Sequence, residues 1–440
     1  MKKNNMLTIV FLLVLVVLGW TIQLTGKAAD TKTHDTSVVL ASEYEQKSLF
    51  QKAIAEYQKA LSIAEDKLLR NEMVAAYKKA YADGVIDASD LTAALADACG
   101  YYPEEAVYWE ELLGTYLDTN NYSDALKAYK KSAEAGASSD TLTEMSHQIL
   151  YSFSANRQTY LEVRRTPLGY VTVRDDYGWK VIGPDGKSTN KGDYLYISPF
   201  NSDNLAVYVN DKGARLIGQD GVVEAILSHS ITEAGAYGDG LLPVATENGT
   251  WKYLDCYNDT FVAGEYEDAS SFTGGTAAVK QNGGWTLIDK NGATICDTVF
   301  DDIKLHGNKE YANRRVMIAS VNGEYGIYVS NGQPASEFRC KQLDLYQGGY
   351  MAFQDETGKW GFVDLKGNVV IAPQFDEAKS FSNGLAGVRV GEQWGFVDTT
   401  GTLVIEPQFQ DVGYFTAEGA CFVSNLPDQY FVIMLRFVGE

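Results

Sequence analysis

The nineteen residues GKWGFVDLKGNVVIAPQFD, Gly358 to Asp376, return almost unchanged as EQWGFVDTTGTLVIEPQFQ, Glu392 to Gln410. Both copies keep Trp-Gly, an Asp, a Gly three residues after the Asp, and Pro-Gln-Phe. Between these anchors the residues drift, with Lys366 against Thr400 and Ala372 against Glu406. A catalytic site is needed once, whereas a packing unit gains from repetition because each copy rests on its neighbours. This part of the chain therefore reads as an array of small modules.

Aligning the pair gives a template: an aromatic, a Gly three later, a small or apolar residue, a β-branched position, the Trp, and a Gly seven beyond it. Around Trp285 it recovers Phe272, Gly275, Ala277, Val279, Asp289, Gly292 and Phe300 in register. The Trp position runs Trp179, Ala214, Trp251, Trp285, Tyr325, Trp360, Trp394, at intervals of 34 to 40 residues. The Gly position runs Gly186, Gly221, Asn258, Gly292, Gly332, Gly367, Gly401, and Asn258 in that series implies a left-handed backbone. Short alternating strings such as Trp394 to Asp398 predict strands. In Asp364 to Gly367 the Asp caps its own turn and the Gly supplies positive φ, so a hairpin reverses tightly. The Trp buries a large ring against the neighbouring unit, and the Gly after it admits a close backbone.

These units resemble the WG repeat, over roughly Tyr160 to the C-terminus, most closely at Trp360-Gly361 and Trp394-Gly395. Ala214 and the longer insert Leu305 to Arg315 depart from the pattern. The resemblance implies binding or display and no shared reaction. Seven units of ~35 residues, each too small to cover its own apolar face, must lean on one another. A closed β-propeller-like toroid is favoured, with Gln429 to Val438 completing the first unit beside Tyr170 to Val173. An open β-solenoid is the alternative.

Upstream the texture is helical, with neither Gly nor Pro from Val38 to Asp83. Trp109, Leu112 and Tyr116, a polar turn Asp118 to Asn121, then Ala125, Tyr129 and Ser132 describe a helical hairpin in which a small residue lets two helices approach. The order is similar to the tetratricopeptide repeat. A first hairpin matches at Leu40, Tyr44, Ala53, Tyr57 and Ala60, a poorer copy fits between Leu68 and Tyr102, and an exit helix spans Thr141 to Phe153. Three hairpins make a short α-solenoid whose groove holds a peptide, or a spacer. The fold class is thus multi-domain α + β: residues 1–29 a signal anchor or signal peptide, 30–37 a linker, 38–155 tetratricopeptide-like, and 160–440 the all-β repeat domain.

Lys2 and Lys3 precede an apolar run from Met6, weakly extended to Leu24, near the ~20 residues that cross a bilayer. A single-pass anchor with the body outside the cytoplasm is expected; secretion after cleavage is the alternative. The net charge of −21 repels nucleic acid and favours basic or neutral partners. Cys99, Cys256, Cys296, Cys340 and Cys421 have no metal or redox spacing and read as small buried side chains. His34, His147, His229 and His306 form no ligand pair, and YGDGLLP around Gly238 is a hairpin corner rather than a phosphate loop. The carboxylate pairs Asp175-Asp176 and Asp301-Asp302 read as turn residues. No catalytic, cofactor or metal residues are assigned. The expectation is a non-enzymatic scaffold of a bacterial cell envelope for protein or peptide partners; the rivals are a binder of cell-wall polysaccharide and, more remotely, a glycan hydrolase with carboxylates in a central pocket.

Overall fold

The computed structural model describes residues 27, 29–165, 170–188, 194–198, 200–201, 204–218, 221–231, 233–262 and 264–438. The apolar run from Met6 to Leu24 lies outside them, and among the described residues no helix is long and apolar enough to cross a membrane. The chain divides into two compact units, Met1–Leu150 and Tyr151–Glu440.

The first unit holds seven helices among its described residues: α1 over 29–46, α2 Phe50–Ile63, α3 Lys67–Ala82, α4 Ala88–Tyr101, α5 Ala106–Asp118, α6 Tyr122–Glu134 and α7 Asp140–Leu150. Polar side chains set several starts. Asp66 accepts the Leu69 N–H at 2.9 Å, and Asp87 and Asp90 form a reciprocal box that satisfies the orphan donors of α4. Small residues let the helices close up: Ala41, Ala53, Ala60, Ala76 and Ala80 share one core with Phe50, Tyr57 and Met73. Two expectations need correction. The stretch 30–37 is helical rather than a linker, being the start of α1. The exit helix stops at Leu150, and Phe153–Ala155 is a strand of the second unit.

The second unit is an eight-bladed β-propeller, built from eight antiparallel sheets among its described residues. Each blade begins with a short inner strand: Glu162–Arg165, Tyr196–Ile197, Glu233–Ala234, Asp268–Ala269, Asp302–Ile303, Gln342–Leu343, Glu377–Ala378 and Asp411–Val412 open blades 1 to 8. Two longer strands follow, then an outer one in six of the blades; in blades 1 and 4 the outer edge is reduced, among the described residues, to isolated bridges such as Trp179 with Tyr194 and Trp285 with Phe300. The third strand carries the Trp position, and its pairing is constant: Trp394 faces Arg389 on the second strand and Phe409 on the outer one.

The count of seven is corrected to eight. Tyr430 is the missing aromatic, pairing Ser424 on one side and Tyr160 on the other. Blade 8 takes its inner, second and third strands from the C-terminal end and its outer strand, Phe153–Ala155, from the start of the unit, with Phe153 opposite Leu435. Gln429–Leu435 therefore completes the last blade, not the first as the sequence suggested. The eighth copy lacks the hairpin Gly because its outer strand arrives from elsewhere in the chain, so the template finds nothing after Tyr430 to align. The open solenoid is excluded by this pairing, which joins the two ends of the array.

The cores lie between blades. Leu385, Trp394, Phe396 and Phe409 of blade 7 pack with Val412, Phe415, Cys421 and Ile433 of blade 8, and Val171, Val173 and Ile182 of blade 1 pack with Ala420, Phe422 and Val432 of blade 8. Burial at such interfaces is the main favourable term for units that have no core of their own.

Candidate functional site

The repeat anchors belong to blade structure. Trp179, Trp251, Trp285 and Trp394 are between 4% and 7% exposed, while Trp360 and Tyr325 are half-buried. The glycine after the Trp is demanded by the outer strand. A Cβ on Gly395 would stand 2.4 Å from the Ile405 carbonyl oxygen and 2.8 Å from the Pro407 nitrogen, and Gly361 meets Ile371 and Pro373 in the same way. There the outer strand bulges, between Trp394 and Phe396, which is where a proline is tolerated in a sheet. Trp-Gly and Pro-Gln-Phe are thus two sides of one contact.

The hairpin turns follow the same logic. Asp364 accepts the Asn368 side-chain amide at 3.0 Å and the N–H groups of Asn368 and Lys366 at 2.8 and 2.9 Å, and these bonds, the side-chain one foremost, hold its carboxyl below the usual range. Gly186, Gly221, Gly292, Gly332, Gly367 and Gly401 all have positive φ. Gly367 is also pressed against Phe338 of blade 5, where a Cβ would come within 2.5 Å. At the equivalent turn of blade 3 the left-handed residue is Asp259, φ 50°, not Asn258. Asp255 accepts both the Tyr257 and Asn258 N–H groups at 3.0 Å, which delays the reversal by one residue. In the helical unit Ala53, Tyr57, Trp109, Leu112 and Ala125 are buried, whereas Tyr116 and Tyr129 are half-buried. The five cysteines are free thiols; Cys296 is half-buried, the other four are buried, and burial pushes Cys99, Cys256 and Cys340 up to about 12. Asp175 pairs with Lys180 at 2.6 Å, Asp301 accepts the Gly323 N–H and Asp302 the Tyr325 hydroxyl.

What the repeat did not reveal lies at the axis. Asp344 of blade 6 accepts the Ser380 N–H of blade 7 at 2.7 Å and the Tyr414 hydroxyl of blade 8 at 2.8 Å. Arg164 of blade 1 stands 3.8 Å from Glu233 of blade 3. Blades 6 and 8, or 1 and 3, are not neighbours, so they meet only where inner strands converge. Lys379 of blade 7 donates to Asp411 of blade 8 at 2.7 Å and lies 5.1 Å over the Trp394 ring. The third residue counted from the start of each inner strand varies freely, from Arg164 through Ser198, Gly235, Ser270, Lys304, Asp344 and Lys379 to Gly413, because it adapts to the blade ahead rather than to the template.

The insert after the inner strand of blade 5 enters this region. The Asn308 carbonyl accepts the Ala236 N–H of blade 3 at 2.8 Å and the Ser271 hydroxyl of blade 4 at 3.0 Å. Lys309 reaches Asp268 and lies 3.7 Å over the Trp251 ring. It takes the place that Arg164 or Lys379 holds over the Trp of its own blade. Gly235 makes room for it, since a Cβ there would sit 3.0 Å from the Lys309 Cβ. His306 and Asn308 are buried, and burial lowers the His306 pKa to about 4 and raises that of Glu310. The only sequence signal for this insert was its length. Chemically, the axial groups neutralise one another across blades; among the described residues no cluster of His, Cys, Asp and Glu could hold a metal ion.

No curated protein matches the chain by sequence. Among solved structures it is similar to BamB from Moraxella catarrhalis, at 11% identity and a TM-score of 0.42, covering 64% of this chain and 98% of that one. It is also similar to the C-terminal WD40 domain of Sif2, at 10% identity and a TM-score of 0.37, covering 61% and 90% respectively. Residues 260–285, 360–394 and 394–425 match the family model described as WG containing repeat, and the second unit is thus a β-rich repeat domain that carries WG repeats in those segments.

Proposed function

We propose that this protein is a non-enzymatic binding scaffold, in which a tetratricopeptide-like array of helical hairpins and an eight-bladed propeller offer surfaces to protein or peptide partners. The observation that carries the reading is the pairing at the axis. Asp344, Lys379, Asp411 and Lys309 are held by partners from other blades, and the repeat aromatics are spent on blade packing. Recognition is left to the loops at the two ends of the blades, whose composition the template does not constrain. The apolar run from Met6 to Leu24 supports a location outside the cytoplasm in a bacterial envelope, anchored or secreted.

The polysaccharide reading gains little. The most exposed propeller tyrosines, Tyr177 and Tyr257, are 79% and 62% exposed, but they stand in turns at opposite ends of the third strand and form no single stacking strip. The test is crosslinking on intact cells with a photoreactive residue at the exposed turn position Asn291, then identification of what is trapped. A discrete protein band dependent on light supports the scaffold. Retention on purified wall glycan that survives high salt, with no protein trapped, sinks it.

A further inference from the structure

The insert ends in a turn written with unusual letters. Ala312–Asn313 pairs with the start of Val316–Val321, Asn313 opposite Val316, so Arg314 and Arg315 are the two loop residues of a tight hairpin. Both have positive φ, 49° and 66°. Such a turn favours Asn-Gly, because long side chains are strained in the left-handed region. The chain uses Asn-Gly at two comparable turns, Asn282-Gly283 and Asn322-Gly323, again with positive φ at both positions. Arg-Arg here is therefore locally unfavourable, the kind of strain that marks a working position.

Arg315 lines a cavity of about 370 Å³ together with Thr273, Gly274, Thr276, Ser330 and Asn331. No acid lines it. Among the described residues neither Arg314 nor Arg315 has a carboxylate partner, unlike the axial cations Arg164, Lys309 and Lys379. The side chains of Thr273 and Ser330 make no hydrogen bond within the chain, and the Asn331 amide donor is likewise unused. A strained, unpaired cation therefore stands beside neutral donors.

We propose that this cavity is a subsite for one carboxylate, carried by an acidic side chain of a bound peptide segment. One arginine lining the cavity matches one negative charge, and the field of the whole acidic chain weighs against a dianion or a polyanion. The proposal rests on the reading of the propeller as a scaffold for protein or peptide partners.

Titration calorimetry on the full chain tests it, with N-acetyl-glutamate amide, N-acetyl-glutamine amide and inorganic phosphate as probes. The glutamate probe binds saturably, at a Kd on the order of millimolar for so small a ligand. Arg315→Asn weakens it roughly tenfold, as loss of a charge-assisted bond does. Asn accepts the left-handed turn, so this variant melts at or above the wild-type temperature and a folding defect does not explain the loss. Equal binding of the glutamine probe, tighter binding of phosphate, an unaffected Arg315→Asn, or no saturable binding overturns the subsite. Partners that still crosslink while no probe binds remove the subsite and leave the scaffold; carboxylate binding with no partner trapped removes the scaffold alone.

Discussion

At the scale of single residues, the propeller is limited by how closely backbones approach. Gly395 has no room for a methyl group, because the carbonyl at 2.4 Å belongs to an outer strand already fixed by the bulge before Phe409. Gly395→Ala should cost about 3 kcal/mol or more, at the upper end of ordinary overpacking. Gly391→Ala, with φ 65° but nothing within 4 Å, should cost only about 1 to 2 kcal/mol from backbone strain. Equal losses in urea melts of the two variants would mean that the close approach is relieved by a shift of the strand. The tryptophans separate similarly. Trp394→Ala should cost about 3 to 5 kcal/mol, the range for a buried aromatic. Trp360→Ala should cost less, because its ring is half-exposed at the same repeat position. The two rings were indistinguishable in the sequence, since the template records spacing and not the size of the neighbour that covers the ring.

At the scale of elements, the insert 305–315 couples blades that the repeat treats as independent. His306 stays neutral when buried, with its pKa lowered to about 4 from 6.5 by desolvation. The unfolded chain then binds a proton that the native chain refuses between those values, so stability falls as pH falls from 6.5 to 4, by about 3 kcal/mol for this group. Glu310, raised by burial, acts in the opposite direction: its protonation relieves a buried charge as pH falls through its native pKa. Lys309 and Asp268 are paired beside them. The prediction is that His306→Gln flattens the fall in stability between pH 6.5 and 4 relative to wild type, measured by denaturant melts at each pH. An unchanged slope would place the histidine in water. The sequence marked this element only as an interval of unusual length; its targets, Gly235, Ser271 and Trp251, are contacts between distant positions that no local pattern encodes.

At the scale of the molecule, eight modules of similar sequence become one folding unit because two distant segments meet in one sheet. The alternation of strands and turns was legible, because side-chain period and Gly-supplied reversals are local properties. The closing blade was not, because its outer strand is not written next to the other three. Phe153–Ala155 is only three residues long, yet it pairs with Leu435, Met434 and Ile433, and Asn156 and Arg436 extend the ladder on either side. A proline at Ser154 removes a donor and disturbs both flanking bonds. In an array with open ends such a change would loosen one edge strand. In a ring it releases blade 8 from blade 1, whose shared core of Val171, Ile182, Phe422 and Val432 then loses its clamp. Ser154→Pro should therefore raise hydrogen exchange across Ala420–Leu426, Gln429–Leu435 and Glu162–Arg165 together. Thr260→Pro, in the short outer strand of blade 3, should raise it only locally. If both substitutions give equally local exchange, the ends of the array contribute no more to stability than any other outer strand.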